Sequence, residues 1–282
     1  MSSGVRMFGK WLEQEPVEQP EGELHYEALI ESGELDEEEL MNQLGHDVAR
    51  NYLNPSELAL VFDDLGAPEV ADYLRANKFP ADIKVRHGDF GEIVTAGLYR
   101  KVRRWCVPIL KLRYKQTPNQ AVQGTDVLAF RFRQTPPVIA VPEVKTRATR
   151  KRALGTEAYD SLEKVLGRLD ESLHFALVRC AERDHRFLVR HLAALLRRPE
   201  ERVVERHMVF VHDALVWKDD VVALLADVVT QRTELTVSRS VDCRTLWHAS
   251  TRPPKPAQAP AVPRPARTPQ CEGLQRHHPP AR

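Results

Sequence analysis

The stretch VIAVPEVK runs from Val138 to Lys145. Its first residues are apolar on both faces of an extended chain, which predicts a strand that is buried on both sides. Glu143 and Lys145 come at its end, and a period of two residues places them side by side on one face. Pro142 requires either a bend in this strand or a different assignment, because proline cannot donate to a ladder of hydrogen bonds.

Two further extended segments are predicted upstream of this strand. In Thr125–Arg133 apolar residues alternate, with Asp126 on their face, and Gln134–Pro137 is typical of the turn of a hairpin. In Pro108–Lys115 apolar side chains alternate with cationic ones, so one face of this strand is predicted to be basic. The cations of that face are Lys111, Arg113 and Lys115.

The sequence GDFGE, Gly88 to Glu92, predicts the start of a helix. Asp89 can cap the helix and Glu92 can bond back to it, which is a capping box with aspartate in place of serine or threonine. Glu92 therefore has two open interpretations. It either only caps this helix, or it also serves the chemistry of the strands that follow.

The rest of the chain alternates between helical and extended patterns. Helices are predicted at residues 54–62, 68–75, 156–178, 184–198 and 219–229, and strands at 207–212 and, at a sheet edge, 235–241. This order predicts an α/β fold with a mixed sheet flanked by helices. The predicted divisions are an acidic, mostly helical N-terminal region at 1–83, a main domain at 84–250 and a disordered, proline- and arginine-rich tail at 251–282.

The charges are segregated along the chain, although the net charge of its 282 residues is only +1. Acids dominate residues 11–50, where Arg50 is the only lysine or arginine, whereas 16 basic residues face four acids in residues 84–152. The basic segment suits a polyanion such as a nucleic acid. The acidic arm, residues 11–50, is either flexible filler or a nucleic-acid mimic that covers the basic groove or the surface of a partner.

Several classes of protein are excluded by what the sequence lacks. The longest apolar run, Val221–Ala226, is too short to cross a membrane, and no glycine-rich nucleotide loop of a helicase or kinase is present. The four cysteines are far apart, which predicts reduced thiols and no zinc site. The acidic start does not suit a secretory peptide, so we expect a cytoplasmic protein.

Asp126 and the Glu143–Lys145 pair are the candidate reactive residues. A carboxylate at the start of one strand and another at the end of its hairpin neighbour are predicted to meet at one end of the sheet. Two such groups suit Mg²⁺ or Mn²⁺, which polarises a phosphodiester and generates hydroxide. Lys145 would orient water or stabilise charge on the phosphate, and Glu92 would be an auxiliary ligand.

These residues also carry a resemblance to known proteins. Asp126, then Glu143-x-Lys145, after a helix with Glu92, resembles the PD-(D/E)XK or restriction-endonuclease-like nucleases. Thr125 stands where the general motif has proline. Residues 88–241 resemble more specifically the HamA family, the nuclease subunits of the bacterial Hachiman anti-phage system. The stretches that carry this likeness are GDFGEI (88–93), PILKLRYK (108–115), GTDVLAF (124–130) and PEVKT (142–146).

The HamA resemblance implies a metal-dependent DNase with a restriction-endonuclease-like fold. It implies that Asp126, Glu143 and Lys145 are the metal and catalytic positions, and that Glu92 is the helix acid. It also implies a partner, the superfamily-2 helicase subunit HamB, which restrains the nuclease until DNA is perturbed. The basic residues Lys111, Arg113 and Lys115 are then expected to contact DNA phosphates.

Less specific interpretations remain beside these. Glu143 and Lys145 alone form an ordinary ion pair on a strand end, and the basic strand face alone only keeps the protein in solution. His207 and His212 suit structural roles. The same fold also suits a subunit that docks nucleic acid without cutting it, or an RNase or junction resolvase. Metal-dependent cleavage and the choice of substrate distinguish these functions.

Overall fold

Strand β4, Val138–Arg147, lies within a six-stranded mixed sheet. The structure is a computed structural model that describes residues 9–53, 73, 76–120, 122 and 124–240. The other strands are β1 (Leu12–Glu15), β2 (Leu24–Glu31), β3 (Ala129–Arg131), β5 (Val203–Asp213) and β6 (Thr233–Ser240). Their order across the sheet is β1-β2-β6-β5-β4-β3, with antiparallel pairs at both edges and parallel pairs between them.

Helices cover both faces of the sheet, which confirms the predicted α/β class. They are α1 (Glu37–Tyr52), α2 (Ile83–Gly97), α3 (Leu154–Leu166), α4 (Leu169–Ala181), α5 (Arg186–Arg197) and α6 (Asp220–Ala226). Helices α1 and α2 belong to one hydrophobic core, and α3 to α6 to the other. Alternate residues of β4 serve the two cores, with Ala140 in the first and Val141 in the second.

The β3–β4 hairpin forms as predicted, with Ala129 opposite Ala140. The two other extended assignments upstream were partly wrong. Of Thr125–Arg133 only Ala129–Arg131 is strand, so Asp126 precedes the strand. Within Pro108–Lys115, residues Lys111–Tyr114 form a 3-10 helix instead of a strand. Both Lys111 and Leu112 are buried there, because a helical turn does not divide adjacent side chains between two opposite faces.

Two helix predictions need correction. The helix over GDFGE begins earlier, at Ile83, and is capped by Asp82, whose carboxylate accepts hydrogen bonds from the backbone of Lys84 and Val85. Asp89 and Glu92 therefore lie inside α2, and the predicted capping box is wrong. The helix predicted at 156–178 is two helices, α3 and α4, separated at Gly167 and Arg168. The helices predicted at 184–198 and 219–229 and the strand at 207–212 are confirmed.

The acidic N-terminal region contributes helix α1 but also strands β1 and β2, which the sequence did not predict. Because β2 pairs with β6, the predicted edge strand β6 lies inside the sheet, between β2 and β5. The sheet thus takes strands from both sides of residue 83. Residues 12–52 are therefore not flexible filler, and several of their acids form ion pairs with the rest of the fold. These pairs are Glu27–Arg103, Asp47–Lys101 and Glu15–Arg239.

Some predictions fall outside the described residues. They are the helix at 54–62, most of that at 68–75 and the tail at 251–282. Within the part of the chain that the structure describes, no helix combines the length and apolarity needed to cross a bilayer.

Candidate functional site at the open end of the sheet

Asp126 fills the space beside β4 where β3 has not yet begun. Its Oδ2 accepts a hydrogen bond of 3.0 Å from the backbone N–H of Val144, as a neighbouring strand would. The nitrogen of Pro142 faces the same side, two residues earlier, beyond the last paired residue of β3. Pro142 therefore loses no ladder bond, which explains how proline is tolerated inside this strand.

Glu143 and Lys145 lie side by side on the face of β4 that α3 covers, as predicted. Lys145 Nζ is 2.7 Å from Glu143 Oε1 and 3.5 Å from Ser161 Oγ of α3. Burial raises the pKa of Glu143, and the nearby charge of Asp126 raises it further. The Asp126 carboxylate is therefore close enough to Glu143 for the two charges to interact.

Glu92 approaches from the opposite face because α2 packs closely on β4. At Gly91 an added Cβ would lie 2.0 Å from Thr146 Oγ1 and 2.9 Å from Val144 Cγ1, so only glycine allows this contact. Glu92 Oε2 is buried and has no hydrogen-bond partner among the described residues. Burial raises the pKa of Glu92 well above its ordinary value, and Lys111 only partly opposes the shift.

The Lys111 ammonium lies between two carboxylates, Glu92 of α2 and Asp126 at the start of the hairpin. Its Nζ is 3.2 Å from Asp126 Oδ1 and 3.7 Å from Glu92 Oε1, and it donates to the Gly124 carbonyl at 3.3 Å. Burial alone would lower the pKa of Lys111, but the neighbouring carboxylates, Glu92 foremost, raise it above its ordinary value. The ammonium is thus the counter-charge of the site.

These five acids and bases come from α2, the 3-10 segment, the start of the hairpin and the end of β4, in the order in which the sequence carries them. A family model for HamA matches residues 6–234 of this chain, which is most of its length and nearly all of the sheet. The chain belongs to the HamA family. No curated protein matches it. Membership makes this HamA chain a protein associated with Hachiman antiviral defence.

The match also covers β1, β2 and α1, the acidic elements that lay outside the resemblance in the sequence. In this HamA chain they are part of the fold rather than an addition to it.

The predicted row of phosphate-binding cations is not an exposed row. Lys111 is buried among carboxylates, and Lys115 is paired with Asp89. The Arg113 guanidinium donates two hydrogen bonds, of 3.0 and 2.8 Å, to the Arg50 carbonyl. The prediction of a basic strand face is therefore wrong, because this segment turns and directs Lys111 and Lys115 inward.

Carboxylate oxygens of the kind present here are the donors that a hard divalent cation takes. Among the described residues no group of three or more His, Cys, Asp and Glu side chains forms a ready metal site. Mg²⁺, however, is usually held by only one or two carboxylates with water and substrate phosphate. Asp126 and Glu143 provide such a pair, and the unpartnered Oε2 of Glu92 is a further oxygen donor without a present role.

The sequence did not indicate the roles of two residues in this site, Lys111 and Ser161. Lys111 was predicted to bind phosphate, and its place among the acids depends on the 3-10 turn that the alternating pattern concealed. Ser161 of α3, beside Lys145, carries no local signal.

His207 hydrogen-bonds Tyr99 at 2.7 Å and Glu205 at 3.0 Å, which fits its predicted structural role.

Proposed function

We propose that this protein is a metal-dependent DNA endonuclease, the effector subunit of an anti-phage defence complex, and that a helicase partner, HamB, restrains it. One observation carries the proposal. Asp126, Glu143, Lys145 and Glu92 come from three elements and converge at one open end of the sheet. The sequence order of the family resemblance supports the same set of residues.

Each side chain has a role in phosphodiester hydrolysis. Asp126 and Glu143 would hold Mg²⁺ or Mn²⁺, with Glu92 as an auxiliary ligand, and a bound divalent ion supplies charge stabilisation and hydroxide at neutral pH. Lys145, held by Glu143 and Ser161, would orient the attacking water or stabilise charge on the phosphate. The Val144 N–H fixes the Asp126 carboxylate, so that it stays aimed at the same place.

Basic side chains beside the site support a nucleic-acid substrate. After Lys145 the chain continues through an exposed basic segment, and α3 and its junction with α4 add two exposed cations. These side chains are Arg147, Arg150, Arg152, Lys164 and Arg168, of which Arg150 and Arg152 pair with Asp220, and Arg168 with Glu171. Phosphate contacts of this kind make binding fall steeply as salt rises.

The test is nicking of supercoiled plasmid by the full chain in Mg²⁺ or Mn²⁺, compared with EDTA. We expect Glu143→Gln and Lys145→Ala to lower the rate by about 10³-fold, since each removes a charge that acts in the transition state. Glu201→Gln, at an exposed ion pair with Arg198, is the matched control and should cut normally. If the chain alone is silent, the comparison is repeated with the helicase subunit present.

A second function is favoured by the position of Lys111. An ammonium that already neutralises Glu92 and Asp126 suits a subunit that docks nucleic acid and does not hydrolyse it. That function predicts salt-sensitive DNA binding with no cleavage in any divalent ion, alone or with the partner. Cleavage that Glu143→Gln leaves unchanged would contradict both the proposed residues and the proposed chemistry.

A further inference from the structure

A cavity of about 330 Å³ adjoins the carboxylate site and has no role in the hydrolysis proposed above. It lies between the 3-10 segment and the start of the hairpin on one side and helices α3 and α4 on the other. Lys111 and Asp126 belong to its wall. Whatever occupies the cavity is therefore next to the reacting groups.

The walls of the cavity are largely apolar. Ile109, Leu128, Val165 and Phe175 line it, and each of these side chains is only half-buried. Half-buried apolar side chains around a concave space gain free energy when an apolar surface covers them. Phe175 adds an aromatic ring, which favours a flat aromatic partner.

The polar groups of the cavity lie where a nucleotide would need them. Lys164 and Arg168 are exposed at its rim, where Arg168 is paired with Glu171, and the Lys164 ammonium suits a phosphate backbone passing outside. Inside, Ser172 Oγ accepts two hydrogen bonds from Thr125, one from its hydroxyl at 2.7 Å and one from its backbone N–H at 3.5 Å. The Ser172 proton is then available to an acceptor on a bound ring.

We propose that this cavity, the base pocket, receives the nucleobase of a nucleotide next to the bond that is cut. The proposal rests on the proposed function, because the phosphate of that nucleotide must lie at Asp126. A base within a stacked duplex cannot enter a cavity between protein walls. The substrate class is therefore DNA with unpaired or readily unpaired nucleotides, such as single strands and distorted junctions.

The pocket gives little reason for sequence preference. Every base has an apolar face that can stack on Phe175, and stacking platforms of this kind tolerate any sequence. Ser172 offers one hydrogen bond, which each base can accept at one of its edges. The expected selectivity is for unpaired over paired DNA.

The test measures binding in EDTA, so that cleavage does not interfere. The probes are a fluorescent 12-nucleotide single strand with a central 2-aminopurine, the same strand with a central abasic position, and the matching duplex. The full chain should bind the single strand more tightly than the duplex, change the 2-aminopurine fluorescence, and bind the abasic strand more weakly. Phe175→Ala should weaken single-strand binding about 5- to 20-fold and leave duplex binding within about twofold.

Two further variants keep the test decisive. Val165→Phe fills the cavity from α3 and should weaken single-strand binding even if Phe175→Ala unfolds. Phe187→Ala, an aromatic that is 55% exposed on α5, is the matched control and should bind like the parent. Equal losses for single strand and duplex, or an abasic strand that binds as well as the intact one, would overturn the proposal. If the protein prefers single strands as predicted but cleaves no DNA, the result would contradict only the proposed function.

Discussion

Helix α2 carries two acids one turn apart, and each pairs with a lysine at one end of the 3-10 segment. Asp89 contacts Lys115 at 2.5 Å and accepts a hydrogen bond of 2.5 Å from Tyr52, and both charged side chains are no more than 5% exposed. We call these three residues the closed cluster. Glu92 lies 3.7 Å from Lys111, which it shares with Asp126; these three are the open cluster.

The two clusters share their elements and differ in how completely their groups are paired. In the closed cluster one Asp89 oxygen takes both partners, and Lys115 also donates to the Pro118 carbonyl at 3.0 Å. In the open cluster Glu92 keeps a buried oxygen with no hydrogen-bond partner in the described chain, and Asp126 lines a cavity. Fully paired buried charges fix a geometry, whereas an unsatisfied one requires another explanation. A ligand therefore gains more binding free energy at the open cluster, where it can pair with the unsatisfied oxygen, than at the closed cluster.

The largest expected effect is on stability, at the closed cluster. Asp89→Ala leaves the Lys115 ammonium buried without its carboxylate and should lower the free energy of unfolding by about 3 kcal/mol or more. Urea unfolding in EDTA measures it. The matched variant Glu92→Ala, three residues along the same helix, should cost less, about 1 kcal/mol. Its Oε2 is already unsatisfied, and Lys111, which is 3.7 Å from Oε1, keeps its closer pair with Asp126.

Equal losses from these two substitutions would remove the distinction between the clusters. In that case Glu92 would be as structural as Asp89, and its unpartnered oxygen would have no bearing on ligand binding.

The next effect distinguishes the two lysines by their response to a divalent ion. Lys111→Met removes the positive charge between Glu92 and Asp126 and should destabilise the protein by about 2 kcal/mol in EDTA. Added Mn²⁺ should restore much of this loss, because an ion that binds only the folded site stabilises it by mass action. The Lys115→Met variant should also be less stable than the parent. Mn²⁺ should raise its free energy of unfolding by no more than it raises that of the parent. Unfolding with and without Mn²⁺ gives both values.

A Mn²⁺ response that is the same for both lysine variants would contradict the proposed metal site. A response in the parent that disappears in Lys111→Met would mean that this lysine helps the ion to bind rather than occupying its place.

The part of the site that the sequence predicted depends on local rules. A period of two residues sets Glu143 beside Lys145, and the turn after Arg133 sets the hairpin register that brings Asp126 to β4. These relations depend on neighbours in the chain, so they can be inferred from the pattern alone.

What the sequence did not predict depends on partners far along the chain. The alternation in residues 108–115 is typical of a strand, but the inward turn of Lys111 and Lys115 is stabilised by acids on α2, more than 18 residues earlier. Asp89 and Glu92 suited a helix start, while Asp82 provides the cap. Strands β1 and β2 were hidden by their acids, two of which, Glu27 and Glu15, are paired with distant arginines.

The smallest expected effect concerns His207, which is fully partnered like the closed cluster but lies away from α2. Burial lowers the pKa of His207 below 6.5, with Glu205 opposing the shift. The folded protein therefore binds fewer protons than the unfolded chain between these two pKa values. The stability that this provides is complete above about pH 6.5 and is lost as pH falls through the folded pKa. His207→Gln should lose less stability than the parent between pH 8 and pH 5.

Thermal unfolding at the two pH values measures this slope. His174→Gln, an exposed histidine on α4, is the matched control and should keep the slope of the parent. The slope in His207→Gln should shrink without vanishing, because burial also lowers the pKa of His212. An unchanged slope in His207→Gln would mean that Tyr99 and Glu205 stabilise the charged form of His207 as well as the neutral form. In that case complete hydrogen bonding would not be enough to identify a buried cluster as purely structural.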